Sequence, residues 1–153
     1  MNLEGKRVVV AGGAGFIGSH LVERLAPVND VLVVDNFSTG HSNWVHADAT
    51  VLTGDLTDTD VVTEAISAET DLVVHLAASK RVNTETPRKQ FTDNSDITYN
   101  ILERMDAVDV DNLVFTSSST VYGEAPQPTP ETYAPLEPIS VYGATKLAEE
   151  SLI

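Results

Sequence analysis

No cysteine occurs anywhere in this chain. That excludes a disulfide framework, a thiolate metal site and a thiol nucleophile, and it fits a reducing compartment. Basic residues are scarce: nine Lys and Arg stand against 23 Asp and Glu, a net charge of −14. Such a surface repels a phosphate backbone instead of releasing its counterions, so nucleic acid is not an expected partner. A shortage of Lys beside abundant Asp, Glu and Thr also suits a protein kept hydrated in concentrated salt, where screening mutes self-repulsion, and it predicts a halophilic source. Aromatics make up only 6%, so a core must come from Val, Leu, Ile and Ala, the residues of a parallel sheet covered by helices. No apolar run reaches the length of a membrane span, and the opening MNLEGKRVVVAGG lacks a signal-peptide core. The expectation is a soluble, cytoplasmic protein with no membrane partner. His20, His41, His46 and His75 have no regular ligand spacing, so no metal is expected.

What is present is alternation. The 153 residues suit one domain with one substantial core. Short apolar runs predict strands over 7–11, 31–34, 49–53, 72–76 and 113–116. Amphipathic stretches predict helices over 16–25, 58–67, 85–105 and from 141 onward. Right-handed crossovers would wind these into an open, doubly wound α/β sheet. Five prolines at 126, 128, 130, 135 and 138 mark 123–140 as an ordered, non-regular connection.

After the first predicted strand comes GGAGFIGSHL, with Gly12, Gly15 and Gly18 three apart and Gly13, Gly15 and Gly18 spelling G-x-G-x-x-G. A tight strand-to-helix turn needs positive φ, a diphosphate needs backbone approach without a Cβ, and a helix N-terminus offers N–H groups and a positive dipole end. A purely structural turn can use the same glycines, but the strand before and helix after favour a dinucleotide cradle. The second strand runs into Asp35, 20 residues beyond Gly15, where a carboxylate accepts from a ribose 2′-hydroxyl and repels a 2′-phosphate. With no Arg or Lys in the following NFSTG, the pattern selects NAD over NADP; the alternative is a turn or capping Asp. Asp55 and Leu56, after the third strand, read either as adenine contacts or as turn residues ahead of a helix. Ala77 and Ala78 either admit a cofactor close to the backbone or simply pack tightly.

Tyr142 alone among the tyrosines has a Lys four residues on, Lys146 in YGATK. On a helix the two share a face, so the ammonium is expected to favour the tyrosinate. The fifth strand delivers Ser117, Ser118 and Ser119 to the end of the sheet where ligands bind, either as chemistry or as satisfied strand-end hydroxyls.

Together GGAGFIGSHL, VVDNFSTG, GDL, HLAAS, the 94–102 stretch, VFTSSSTVYGE and PISVYGATKLAEE resemble the N-terminal part of extended short-chain dehydrogenases/reductases, the NAD-dependent epimerase/dehydratase family. The likeness is greatest to the branch acting at C4 of UDP-glucose and UDP-galactose. The resemblance implies a Rossmann fold, Ser118, Tyr142 and Lys146 as catalytic residues, and NAD as cofactor. It implies cofactor contacts from Gly12, Gly15, Phe16, Ile17, Gly18, Asp35, Asn36, Ser38, Thr39 and Gly40. It adds Asp55, Leu56, Leu76, Ala77, Ala78, Lys80, Asn94 and Ser117, with Tyr142 and Lys146 on the ribose side. Dehydratases of the family carry Asp-Glu directly after their Ser/Thr; Ser119 and Thr120 stand there instead, which favours epimerisation. A UDP-sugar substrate and a homodimer, formed through the 85–105 and Tyr142 helices, are likewise implied. Three positions depart from the family: Ala11 for a common Thr, Ile97 for a usual Gly, and an end at Ile153 within the last helix. The reading is therefore of an incomplete Rossmann domain over 1–153, short of a sixth strand and a substrate domain.

Overall fold

Consecutive residues of a strand face opposite ways, and in the first strand both faces are apolar. This explains the architecture of the computed structural model, which describes residues 3–79 and 87–153. Two units make up the chain: one comprises residues to Ala78 with Asp96–Phe115, the other Ser79–Ser95 with Thr116–Ile153.

In the first unit, β1 (Arg7–Ala11), β2 (Asp30–Asp35), β3 (Thr50–Thr53), β4 (Leu72–His75) and β5 (Leu113–Phe115) form a sheet in the order β3-β2-β1-β4-β5. Every pairing is parallel; Val9, for example, lies opposite Leu32 and Val73. Val8 and Val10 join Val22, Leu25, Val31, Val33 and Val74 in one apolar layer, covered by α1 (Phe16–Leu25). Val9 and Ala11 join Val34, Val62, Val73, Ile97, Ile101 and Met105 in the other. That second layer is covered by α2 (Thr59–Ala65) and by the later turns of α3 (Pro87–Ala107), where Ile97, Ile101 and Met105 repeat every fourth residue. Fully burying each aliphatic side chain contributes about 1.5–3 kcal/mol, so two dry layers account for a stable sheet without large aromatics.

The chain leaves β1 in one direction towards β2 and returns on its other side at β4. The carboxyl ends of β1 and β4 therefore flank the topological switch point, where open α/β sheets bind ligands. The predicted 7–11 strand, 16–25 helix and start at 141 coincide with β1, α1 and α4, and the other predicted boundaries lie within two residues of those observed. Asp58 lies outside α2 because its side chain caps that helix, accepting from Asp60 N–H.

The second unit holds the first turns of α3, a 3-10 turn at Ser119–Tyr122 and α4 (Val141–Leu152). Ser140 caps α4 by accepting from Gly143 N–H at 3.0 Å. The proline-rich 123–140 connection contains neither helix nor strand.

Candidate active site

The first unit builds a cradle at the end of β1. Gly12 sits at φ 80°, and a Cβ there would lie 2.7 Å from the Ala77 nitrogen, so the β1 turn and the Leu76-Ala77 main chain run side by side. Leu76 N–H also donates to the Ala11 carbonyl at 2.9 Å. A Cβ on Gly18 would lie 2.4 Å from the Gly12 carbonyl oxygen, which fixes α1 against its own entry loop. Gly15 differs: its Cβ would meet only Gly12 O, at 3.3 Å. Among the described residues packing thus presses on a Gly15 side chain far less than on one at Gly12 or Gly18, with a shift of a few tenths of an ångström by Gly12 O enough to admit it. No side chain caps the start of α1, and Phe16 and Ile17 in its first turn are exposed. Backbone N–H groups at an uncapped helix start suit an anion.

Asp35 ends β2 with its side chain buried. One carboxylate oxygen accepts from Ala14 N–H at 3.0 Å and the other from Phe37 N–H at 2.8 Å. A carboxylate offers about four lone-pair sites, so these bonds orient the group and leave acceptor capacity for a ribose hydroxyl. The loop beyond folds onto the cradle: His41 N–H donates to Ala14 O, and a Cβ on Gly40 would meet Ala14 at 2.9 Å. Asn36 turns the chain, accepting from Ser38 N–H and donating to Asp55 at 3.0 Å. Thr39 lies in the same bend. Asp55 itself accepts from the backbone and hydroxyl of Thr57, so its turn role is visible in the geometry. Leu56 is buried in the core layer with Val34 and Val62.

In the second unit, Ser118 caps the 3-10 turn, its Oγ accepting from Thr120 N–H at 3.2 Å and from Thr120 Oγ1 at 2.9 Å. Its own hydroxyl proton remains available for donation. Ser117 Oγ is buried and has no hydrogen-bond partner among the described residues. Gly143 lets α4 abut that turn, since a Cβ there would lie 2.7 Å from Thr120 O. Tyr142, beside Gly143, is thereby brought to the segment that Ser118 caps. Tyr142 and Lys146 share a face of α4, with Lys146 Nζ 6.0 Å from the phenol ring centroid.

Sequence reasoning missed the partner of that lysine. Lys146 Nζ bonds Glu149 Oε2 at 2.7 Å, and the two side chains are only 3% and 1% exposed. The phenol of Tyr142 is correspondingly not acidified, contrary to the expectation from Lys146 alone. Burial pushes its pKa above the ordinary value, and the Glu149 carboxylate pushes it further. The only available signal was a Glu three residues after the Lys, which on pattern alone reads as a surface ion pair.

Asn94, also in the second unit and buried, clamps the main chain of Ser79: Oδ1 accepts from Ser79 N–H and Nδ2 donates to Ser79 O at 3.2 Å. Gln90 Nε2 donates to the same carbonyl. Lys80 lies outside the described residues, and Ala78 closes the first unit after β4. Among the described residues no group of His, Asp and Glu is arranged to hold a metal, and no helix is long and apolar enough to cross a membrane.

Residues 8–153 match the model of the NAD dependent epimerase/dehydratase family. The chain is 40% identical over 152 residues to the UDP-glucose 4-epimerase of Lactobacillus helveticus, covering 96% of this chain and 46% of that protein. It is similar to a crystal structure of UDP-galactose 4-epimerase at 45% identity and a TM-score of 0.87, over 95% of this chain and 50% of that one. The UDP-glucose 4-epimerase of Brucella ovis, crystallised in complex with NAD, is 36% identical with a TM-score of 0.87, over 96% and 46% of the two chains. The chain thus spans about half the length of the curated relatives it matches.

Proposed function

We propose, from the premise that this chain belongs to the NAD dependent epimerase/dehydratase family, that it binds NAD on the Gly12–Gly18 loop and carries the acid–base residues of a UDP-glucose/UDP-galactose 4-epimerase. One observation carries the reading: Tyr142 and Lys146 share a face of α4, and that helix abuts the turn capped by Ser118. The first unit fits the cofactor independently. Gly15 is the least crowded of the three loop glycines, the start of α1 is uncapped, and Asp35 is oriented with acceptor capacity to spare.

Gly12, Gly15 and Gly18 with the first turn of α1 would hold the diphosphate, and Asp35 the adenosine ribose. NAD, when bound, supplies the two-electron acceptor that oxidation at C4 requires. Tyr142 is the base for the proton of the sugar 4-hydroxyl and gives that proton back when the 4-keto sugar is reduced from its other face. Ser118 donates to the same oxygen, and Lys146 stabilises the phenolate while it lasts. Ser119 and Thr120 occupy the positions where a dehydratase of the family has Asp-Glu, so elimination lacks its acid and base.

Support for self-association comes from α3, where Phe91 and Tyr99 are 45% and 57% exposed although aromatic; sedimentation velocity tests the homodimer. A cytoplasmic setting is supported by the absence of cysteine. The functional test is to titrate NAD calorimetrically, then add UDP-galactose and watch both absorbance at the reduced-cofactor band and formation of UDP-glucose. Conversion that disappears in Tyr142→Phe while NAD binding survives is the expected result. NAD binding without conversion would leave a dinucleotide-binding module. No NAD binding by folded protein would overturn both.

A further inference from the structure

A buried carboxylate next to the residue meant to act as a base is an unusual neighbour. Glu149 is 1% exposed on the last turns of α4, and its Oε2 holds Lys146 Nζ at 2.7 Å, itself 3% exposed. Burying two charges is costly, and such a pair is often no more stable than well-packed apolar residues of similar size. Stability alone is therefore a weak reason for this pair. Its location is more informative, because the same ammonium lies 6.0 Å from the centre of the Tyr142 ring. An ammonium on a four-carbon stem has many rotamers, and a dry ion pair one turn further along the helix restricts it to a few.

We infer that Glu149 is a positioning residue for the proposed reaction: it fixes the Lys146 ammonium beside Tyr142 and governs how readily the phenol gives up its proton. The inference rests on the proposed role of Tyr142 as base. The electrostatics agree with the geometry, since Glu149 is the charge that raises the phenol once burial has done so. Within the same unit, the turn packed against α4 carries one titratable group, Tyr122, and the connection ahead of the helix carries Glu124, Glu131, Tyr133 and Glu137. None of these acts on Tyr142 as Glu149 does. The carboxylate therefore holds the cation in place and opposes premature ionisation of the base. Any bound group that drew the ammonium towards itself would shift the balance.

The test needs neither cofactor nor sugar. The full chain is labelled with [13Cζ]tyrosine, the Tyr142 resonance is identified by its loss in Tyr142→Phe, and its titration is followed in wild type, Lys146→Met and the double variant Lys146→Met/Glu149→Gln. A carboxylic acid, even a buried one, ionises below the phenol's range, so in Lys146→Met, with the ammonium gone, the Glu149 carboxylate should move Tyr142 to higher pH. Removing that carboxylate in the double variant should move it back down. Coincident titrations of the single and double variants would overturn the inference. If Lys146→Met does not fold, wild type labelled with [15N]lysine decides: the Lys146 ammonium resonance must respond as Tyr142 titrates, and one that ignores it is equally fatal. Because no turnover is read, a negative result here leaves the functional proposal standing. Failure of NAD to bind would likewise leave this result intact.

Discussion

Two glycines of the cradle should answer the same substitution in opposite ways. Gly18→Ala places a methyl 2.4 Å from the Gly12 carbonyl oxygen and 2.6 Å from Gly13 Cα, both main-chain atoms that cannot rotate away. Overpacking of this kind costs about 1–3 kcal/mol, and the gain of about 1 kcal/mol for replacing a helical glycine offsets part of it. A net loss of up to about 2 kcal/mol lowers the melting temperature of a domain this size by up to about 8 °C. Gly15→Ala meets only Gly12 O at 3.3 Å, and Gly15 has φ −75° and ψ 175°, which alanine adopts freely. The gain of about 0.4–1 kcal/mol for a glycine in a compatible conformation is then set against the small shift of Gly12 O that a 3.3 Å contact requires, so folding should change less than in Gly18→Ala. The new methyl would instead stand where a diphosphate approaches the loop. If it costs the ligand what overpacking costs a core, NAD should bind about 5- to 150-fold more weakly. Differential scanning calorimetry and isothermal titration of NAD on both variants separate the two effects. A folded Gly15→Ala protein that binds NAD as tightly as wild type would refute the assignment of that loop.

Ile101, 1% exposed between sheet and α3, should lose about 2–5 kcal/mol on change to alanine, read as a fall in denaturant midpoint without a change in slope. Asp71 lies outside the proposed site; the Arg7 backbone N–H, then Lys6, hold its carboxyl below the ordinary range. Its contribution is thus present above about pH 4 and lost as pH falls through the folded value, so Asp71→Asn should flatten the acid side of a stability-versus-pH curve. With a net charge of −14, stability should rise between 0.1 M and 2 M KCl, by the equivalent of at least about 1 kcal/mol, as screening shortens towards the size of single contacts. A melting temperature higher in dilute buffer would end the halophilic reading.

The parts legible in the sequence are those whose causes are local. Val8 to Ala11 announce a strand buried on both faces, and Ile97, Ile101 and Met105 announce the apolar side of a helix, because each pattern is a period of the backbone itself. Gly12 was legible because a turn imposes its demand within a few residues. Glu149 was not, since an acidic residue one turn from a lysine looks the same whether solvent or protein covers it, and only tertiary packing decides. The capping role of Ser118 was hidden for a related reason: three consecutive serines give no hint of which hydroxyl will accept from Thr120. Asp55 had two readings open, and the structure exhibits its bonds to Thr57 while leaving its second role to experiment.

The two backbone donors that converge on Asp35 have an evolutionary corollary. If Asp35 selects the cofactor as proposed, a lineage that switched to the phosphorylated dinucleotide would have to discard that acid, and with it the acceptor for Ala14 and Phe37. Whatever replaced it would need to satisfy both amides by other means, so on that reading a change of cofactor carries a cost in the loop's own hydrogen bonds.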